Sequence, residues 1–162
     1  MAKKRAYIET SIISCLASRP ARDLNKLVLQ QKTWDWWEHR HRWELYISPV
    51  VLEEIERGDP DAARERVAYV VNMIELPESD EVRELAEKLI AAGLVPPSVR
   101  ADAAHIAYAA VHGMDYLVTW NQKHICNPFR IEAVYAAIRQ SNRIPPVLLR
   151  PDNLMERDGE RL

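Results

Sequence analysis

Ala6-Tyr7-Ile8-Glu9-Thr10-Ser11 begins the first structural unit of this chain. Residues 6–8 are a short β-forming run, and Thr10 and Ser11 can cap a helix whose apolar face follows directly. The stretch therefore predicts a strand that passes at once into a helix. Glu9 stands at their junction, where a glutamate that continues an apolar strand has no cap to make.

The same alternation of strand and helix continues along the chain. Further strands are predicted at residues 45–48, 73–76, 116–119 and 147–149, and further helices at residues 24–40, 50–57, 60–72, 79–92, 98–112 and 129–140. Such alternation predicts an α/β fold, a three-layer α/β/α sandwich with a central parallel sheet. Residues 1–150 are expected to form one domain, and residues 151–162 a polar, mobile C-terminal tail.

Composition limits the classes of partner and compartment. The net charge of −2, from 22 basic and 24 acidic residues, gives no overall attraction to a polyanion, so a nucleic acid would need a local basic patch or a bound metal. No apolar run approaches the roughly 18 residues of a membrane span, and we expect a cytoplasmic protein without membrane contact. Cys15 and Cys126 are expected to be reduced and structural, with a disulfide or a metal site as the alternative.

Four polar residues are expected at the carboxyl edge of the sheet, where open α/β sheets bind ligands. Glu9 ends the first strand, Asn121 follows the fourth, Glu54 lies about two helical turns beyond the second, and Asp102 is in the first turn of a helix. Taken singly, Asp102 is explained by the helix dipole and Glu54 as a solvated helix acid. Together they form the kind of oxygen ligand set that Mg²⁺ prefers.

Four segments of the sequence resemble the signature segments of PIN domains, in the toxin-type branch called VapC-like. They are Ile8-Glu9-Thr10-Ser11, the stretch from Ser48 to Gly58 (SPVVLEEIERG), Ala101-Asp102-Ala103-Ala104-His105-Ile106-Ala107, and Leu117-Val118-Thr119-Trp120-Asn121. The resemblance implies a PIN-like fold and a Mg²⁺-dependent endoribonuclease, with Mn²⁺ able to substitute. It also implies a type II toxin–antitoxin system with a small antitoxin, and a homodimer.

The resemblance assigns roles to individual positions. It implies that Glu9 and Asp102 bind the metal directly and that Glu54 and Asn121 act through water or a second ion. Thr10 and Ser11 match hydroxyl positions that hold a ligand water or a phosphate, with a plain helix cap as the alternative. Two positions depart from the family pattern, which usually has aspartate in place of Glu9 and an acid in place of Asn121.

These departures motivate two further hypotheses. The first is a catalytically weakened PIN-like module that binds RNA or a protein. The second is a structural nuclease-like subunit that dimerises through a tryptophan-rich helix and needs no metal.

Aromatic and basic residues cluster in two places. Trp34, Trp36, Trp37 and Trp43 suit core packing or a homodimer contact, or else base stacking or a groove for a partner. Residues 39–42 are a basic group that can meet phosphates or simply end a helix. Lys123 and His124 are candidate substrate-binding residues beside the stacking face of Trp120, or ordinary surface charges. His105 is interpreted as a hydrogen-bonded helix histidine rather than a metal ligand.

Overall fold

The protein has five strands and eight α-helices within residues 2–159, the part of the chain that the computed structural model describes. The strands are β1 (Lys4–Ile8), β2 (Trp43–Ile47), β3 (Ile74–Glu75), β4 (Tyr116–Val118) and β5 (Val147–Leu149). The helices are α1 (Thr10–Ala17), α2 (Leu24–Glu38), α3 (Pro49–Ile55), α4 (Pro60–Val70), α5 (Asp80–Ala91), α6 (Arg100–Val111), α7 (Ile131–Gln140) and α8 (Pro151–Gly159).

The strands form one parallel sheet in the order β3-β2-β1-β4-β5. β1 lies at the centre, where Tyr7 is in register with Tyr46 of β2 and Leu117 of β4. Residues 6–8 are completely buried, as expected for a parallel strand that is covered on both faces. Because all five strands run the same way, their carboxyl ends meet along one edge.

Helices cover both faces of this sheet. α1 contacts α2 and α4, and α2 contacts α8, whereas α5 contacts α6 and α7 in the other layer. The three-layer α/β/α sandwich predicted from the sequence is therefore confirmed. Within residues 2–159, no helix is both long and apolar enough to cross a lipid bilayer.

Side-chain caps explain where several helices begin. Ser48 precedes α3, Asp59 precedes α4 and Ser79 precedes α5, and each accepts a hydrogen bond from a backbone N–H of the first turn. The start predicted for α6, at residue 98, is wrong. Ser98 instead lies in a 3₁₀ turn, Pro97–Val99, and α6 begins at Arg100 without a side-chain cap.

The tryptophan-rich segment contributes to the core. Trp36 is completely buried and stacks on buried Trp43 with ring centroids 6.3 Å apart, while Trp34 and Trp37 are half-buried. Trp36 Nε1 is a buried donor without a hydrogen-bond partner within residues 2–159. Core packing, one of the alternatives raised by the sequence, accounts for Trp36 and Trp43.

Both cysteines are free thiols, in agreement with the expected reduced state. Cys15 contacts the Thr33 hydroxyl at 3.2 Å, and Cys126 donates to the Leu148 carbonyl at 3.4 Å. Burial raises the pKa of each thiol, so neither is an activated nucleophile.

The expectation of a mobile polar tail is wrong for Pro151–Gly159, which form α8. Leu154 is completely buried, and Asp158 accepts hydrogen bonds from Trp43 Nε1 and, at 3.1 Å, from the Tyr116 hydroxyl. Asp152 pairs with Lys32 of α2 at 2.9 Å. Leu154, Asp152 and Asp158 thus attach this polar segment to the rest of the domain. Residues 160–162 lie outside the described part.

We expect Asp152→Asn to destabilise the fold by about 1–2 kcal/mol at pH 7. Burial alone would raise the pKa of Asp152, but hydrogen bonds from Arg150 and Lys32 outweigh it and lower the pKa from 3.8 to about 2. A lowered pKa adds stability above pH 3.8 that is lost as the pH falls toward 2. Urea unfolding of both proteins at several pH values measures this difference.

The matched control is Asp80→Asn, because Asp80 is an exposed first-turn aspartate that also pairs with an arginine. Its effect should be small. The stability difference between wild type and Asp152→Asn should shrink as the pH falls below 3.8. A difference that does not change with pH would contradict the assigned role of Asp152.

Candidate active site

Glu9 connects the ends of the two central strands. Its backbone N–H donates to the Val118 carbonyl of β4 at 3.1 Å, and its side chain is the N-cap of α1. Oε2 accepts hydrogen bonds from Ser11 N at 3.0 Å, from the Ser11 hydroxyl, and from the Thr119 hydroxyl at 2.9 Å. The expectation that Glu9 makes no cap, and that Thr10 or Ser11 does, is therefore wrong.

The hydroxyls of Thr10 and Ser11 hold the two glutamates. Thr10 Oγ1 donates to Glu54 Oε1 at 2.7 Å, and Ser11 Oγ donates to Glu9 while accepting from the backbone N–H of Trp120 at 2.9 Å. Thr10 binds Glu54 of α3, and its neighbour Ser11 binds Glu9 at the junction of β1 and α1. The two hydroxyls therefore link α3 to this junction. Both predicted hydroxyl positions thus contact predicted acids.

Glu54, on α3, is held by two donors at the same oxygen. Oε1 accepts from Thr10 and lies 2.6 Å from Nε2 of His105 on α6. Burial alone would raise the pKa of Glu54, but the hydrogen bonds from His105 and Thr10 lower it below the usual value. Glu54 is therefore ionised at neutral pH and is not the free surface acid that its neighbours in the sequence indicate.

His105 continues inward from Glu54 to two buried hydroxyls. Its Nδ1 lies 2.7 Å from the Tyr7 hydroxyl, which lies 2.7 Å from the Ser48 hydroxyl. All three side chains are fully buried. The interpretation of His105 as a hydrogen-bonded helix histidine is confirmed. The contact of His105 with Glu54 was not predicted. The available signal was that His105 lies one helical turn after Asp102, on the same face of α6.

Asp102 lies in the first turn of α6, and its Oδ2 is 3.2 Å from His124 Nδ1. Its side chain is 13% exposed. Within residues 2–159, neither lysine nor arginine forms an ion pair with Glu9, Glu54 or Asp102. The acidic edge, as we call these three acids, is therefore not neutralised by the protein's permanent cations.

Asn121 shapes the loop after β4. Its Oδ1 accepts from the His124 backbone N–H at 3.0 Å, and its carbonyl accepts from Ile125 and Cys126. This turn places the His124 ring beside Asp102, while Lys123 is exposed. The Asn121 amide oxygen, expected near a metal, thus already has a backbone partner.

Each acid keeps one carboxylate oxygen without a hydrogen bond inside the described part of the chain. The oxygens that contact protein donors are Glu9 Oε2, Glu54 Oε1 and Asp102 Oδ2. The oxygens without such a contact are Glu9 Oε1, Glu54 Oε2 and Asp102 Oδ1. No group of three or more His, Cys, Asp or Glu side chains in residues 2–159 is close enough to hold a metal. The donor chemistry fits Mg²⁺ bound by one or two carboxylates and several waters, but not a preassembled three-acid cage.

The other aromatic and basic residues lie away from these acids. A cavity of about 650 Å³ near the start of β2 is lined by Trp37, Arg40 and His41 among others, and none of the three acids lines it. The Arg40 guanidinium lies 4.3 Å from the Trp37 ring centroid. Trp120 does lie at the carboxyl edge, where its Nε1 donates to Thr33 at 2.8 Å.

Comparison with known proteins identifies the fold. No protein-family model and no curated protein matches the sequence. Several solved structures match, including two that cover 90% of this chain at 13% identity. One is VapBC2 from Rickettsia felis, bound to a DNA fragment from its promoter, with a TM-score of 0.58 over 98% of the matched chain. The other is FitAcB from Neisseria gonorrhoeae, with a TM-score of 0.54 over 97%.

Proposed function

With its PIN-like fold shown by these structural neighbours, we propose that the protein is a metal-dependent endoribonuclease that hydrolyses RNA phosphodiester bonds with Mg²⁺, or with Mn²⁺ in its place. The observation that carries the proposal is the acidic edge, where three carboxylates without lysine or arginine partners each retain a free oxygen. Such oxygens attract a hard divalent cation, which can in turn bind a phosphate.

A bound divalent cation supplies an activated water and offsets charge on the phosphoryl oxygens. Glu9 and Asp102 would hold the cation, since each has one carboxylate oxygen that the protein does not engage. Glu54 is ionised, and its Oε2, which the protein leaves free, would orient a water at the site. The hydroxyls of Thr10 and Ser11 keep the two glutamates in place.

Lys123 and His124 contact the substrate backbone in this proposal. Lys123 is exposed and forms no ion pair within residues 2–159, so its ammonium is available to a phosphate. His124 uses Nδ1 for Asp102, which leaves Nε2 for a phosphate oxygen. Cations on this loop compensate locally for the small negative net charge of the chain.

We further propose that the protein is the toxin of a type II toxin–antitoxin pair. Both structural neighbours are toxin–antitoxin complexes, which supports a small antitoxin as the partner here. A segment of the antitoxin would cover the acidic edge with a basic side chain and so compete with metal and RNA. A homodimer is part of the same proposal.

A specific observation favours a second candidate function, a catalytically weakened PIN-like module that binds RNA or a protein. The Asn121 amide is neutral and its oxygen accepts a backbone hydrogen bond, and no three-ligand group exists in residues 2–159. A weakly held cation would reduce cleavage while the loop of Lys123 and His124 still binds phosphates.

Cleavage of a single-stranded RNA by the chelator-treated protein tests the function. We expect cleavage after Mg²⁺ or Mn²⁺ is added back and none in excess chelator. RNA binding without cleavage under all conditions would select the binding module. Cleavage that persists in chelator would contradict the role of the metal.

A further inference from the structure

A chain of hydrogen bonds runs from Glu54 into the core through three side chains that water cannot reach. His105 Nε2 lies 2.6 Å from Glu54 Oε1, and the His105 Nδ1–Tyr7 and Tyr7–Ser48 distances are both 2.7 Å. Because His105, Tyr7 and Ser48 are fully buried, a lost partner cannot be replaced by solvent. The polar atoms of these side chains must therefore find their hydrogen-bond partners among one another.

Counting hydrogens fixes the direction of these bonds. Glu54 is ionised and only accepts, so His105 Nε2 must carry a proton. If Nδ1 is unprotonated, Tyr7 donates to it, Ser48 donates to Tyr7, and every hydrogen of the chain is used. If Nδ1 carried a proton, Tyr7 would donate to Ser48. The Ser48 hydrogen would then lack an acceptor in the described residues, because the other contact of its oxygen is the Val51 N–H donor.

The surroundings of Tyr7 support this direction. Tyr7 is fully buried, and a phenolate charge would be costly there, so the phenol keeps its hydrogen. Tyr7 belongs to β1, Ser48 precedes α3, and His105 belongs to α6. One polar chain therefore connects the central strand with the helix that carries Glu54 and the helix that carries Asp102.

The Glu54 carboxylate has little orientational freedom as a result. His105 and Thr10 approach the same oxygen, Oε1, from α6 and from the start of α1. Only Oε2 remains free, so fixing Oε1 also fixes the direction in which the free oxygen points. A carboxylate held by one hydroxyl alone would rotate more freely about its last side-chain bond.

We propose that His105 is a positioning residue that holds Glu54 Oε1 through its Nε2–H, and that Tyr7 and Ser48 fix the tautomer in which Nδ1 accepts. His105 acts through Glu54 alone, since its ring is fully buried and cannot touch substrate. Its effect on cleavage rests on the proposed nuclease function, whereas its tautomer does not.

Nitrogen NMR of the protein with ¹⁵N-labelled histidine tests the tautomer without any activity. The His105 signals are assigned as those missing from His105→Gln. We expect a protonated Nε2 and an unprotonated Nδ1 at neutral pH, with slow exchange of the Nε2 proton. Tyr7→Phe, which removes the donor to Nδ1, should leave Nε2 protonated, because Glu54 still accepts from it, and should shift the signal of the unprotonated Nδ1. A protonated Nδ1 in the wild-type protein, alone or together with Nε2, would overturn the proposal.

Two substitutions at His105 test positioning. The glutamine amide nitrogen can replace Nε2, whereas asparagine is too short to reach Glu54. We expect His105→Asn to lower kcat roughly 10–100-fold with little change in KM, and His105→Gln to retain most of the rate. His112→Gln is the control, because His112 lies just beyond the end of the same helix, where its ring contacts the Pro77 carbonyl and the Tyr108 ring.

Melting temperatures of the two His105 variants show whether a difference in kcat comes from a loss of stability. If His105→Asn has the same kcat as the wild type, His105 does not position Glu54. The same conclusion follows if the asparagine and glutamine variants have equal melting temperatures and lose equal fractions of kcat. If the wild-type protein cleaves no RNA, the proposed nuclease function fails instead, and the NMR result alone decides where the proton lies.

Discussion

Asp102→Asn should reduce metal-dependent RNA cleavage by roughly 1,000-fold, equivalent to about 4 kcal/mol of transition-state stabilisation. The substitution keeps the shape of the side chain and removes its charge. Asp102 is one of only two acids proposed to hold the cation directly, so its loss leaves Glu9 alone. Cleavage rates at saturating Mg²⁺ measure the effect.

The fold should survive this substitution, because Asp102 lies at the surface end of α6 and its contact is the single pair with His124. Asp61→Asn is the matched control. Asp61 is also a first-turn aspartate, in α4, but it is exposed and pairs with Arg64. Undiminished cleavage by Asp102→Asn, with normal folding, would remove Asp102 from the site.

The second large effect is expected at Glu9, where charge and fold can be separated. Glu9→Gln keeps an amide oxygen that can accept from Ser11 and Thr119, but it removes the charge that attracts the cation. We expect cleavage to fall by roughly 100-fold or more, with a loss of stability of about 1 kcal/mol or less.

Glu9→Ala should destabilise the protein more, by about 2–3 kcal/mol, because it removes the N-cap of α1 and the acceptor of the buried Thr119 hydroxyl. Urea unfolding of both variants measures the difference. If the two variants lose the same stability, the cap assigned to Glu9 is wrong. If Glu9→Gln cleaves RNA at the wild-type rate, the Glu9 charge has no part in catalysis.

The fold was predictable because its signals are local. Short apolar runs such as residues 116–118 are too short for helices, and α3, α4 and α5 begin at recognisable caps. α8 escaped prediction because its attachment depends on one buried leucine and on aspartates whose partners, Lys32 and Trp43, are more than 100 residues away. Polar composition alone does not reveal such contacts.

The site was predictable in position but not in detail. The rule that carboxyl ends of parallel strands meet at one edge predicts that Glu9, Glu54 and Asp102 lie along it, but within residues 2–159 the three acids do not form one metal-holding group. The partner of each acid depends on long-range packing, as in the contact between Tyr7 and His105, 98 residues apart. The same holds for Asn121, whose amide oxygen turned out to organise its own loop.

Calorimetric titration with Mg²⁺ and Mn²⁺ tests the central claim, that the acidic edge binds a divalent cation. The wild-type protein and Asp61→Asn should bind either metal saturably at millimolar concentration or below. Asp102→Asn should bind at least about 10-fold more weakly, consistent with the loss of a direct ligand. Absence of binding at millimolar metal, or equal binding by wild type and Asp102→Asn, would contradict the claim.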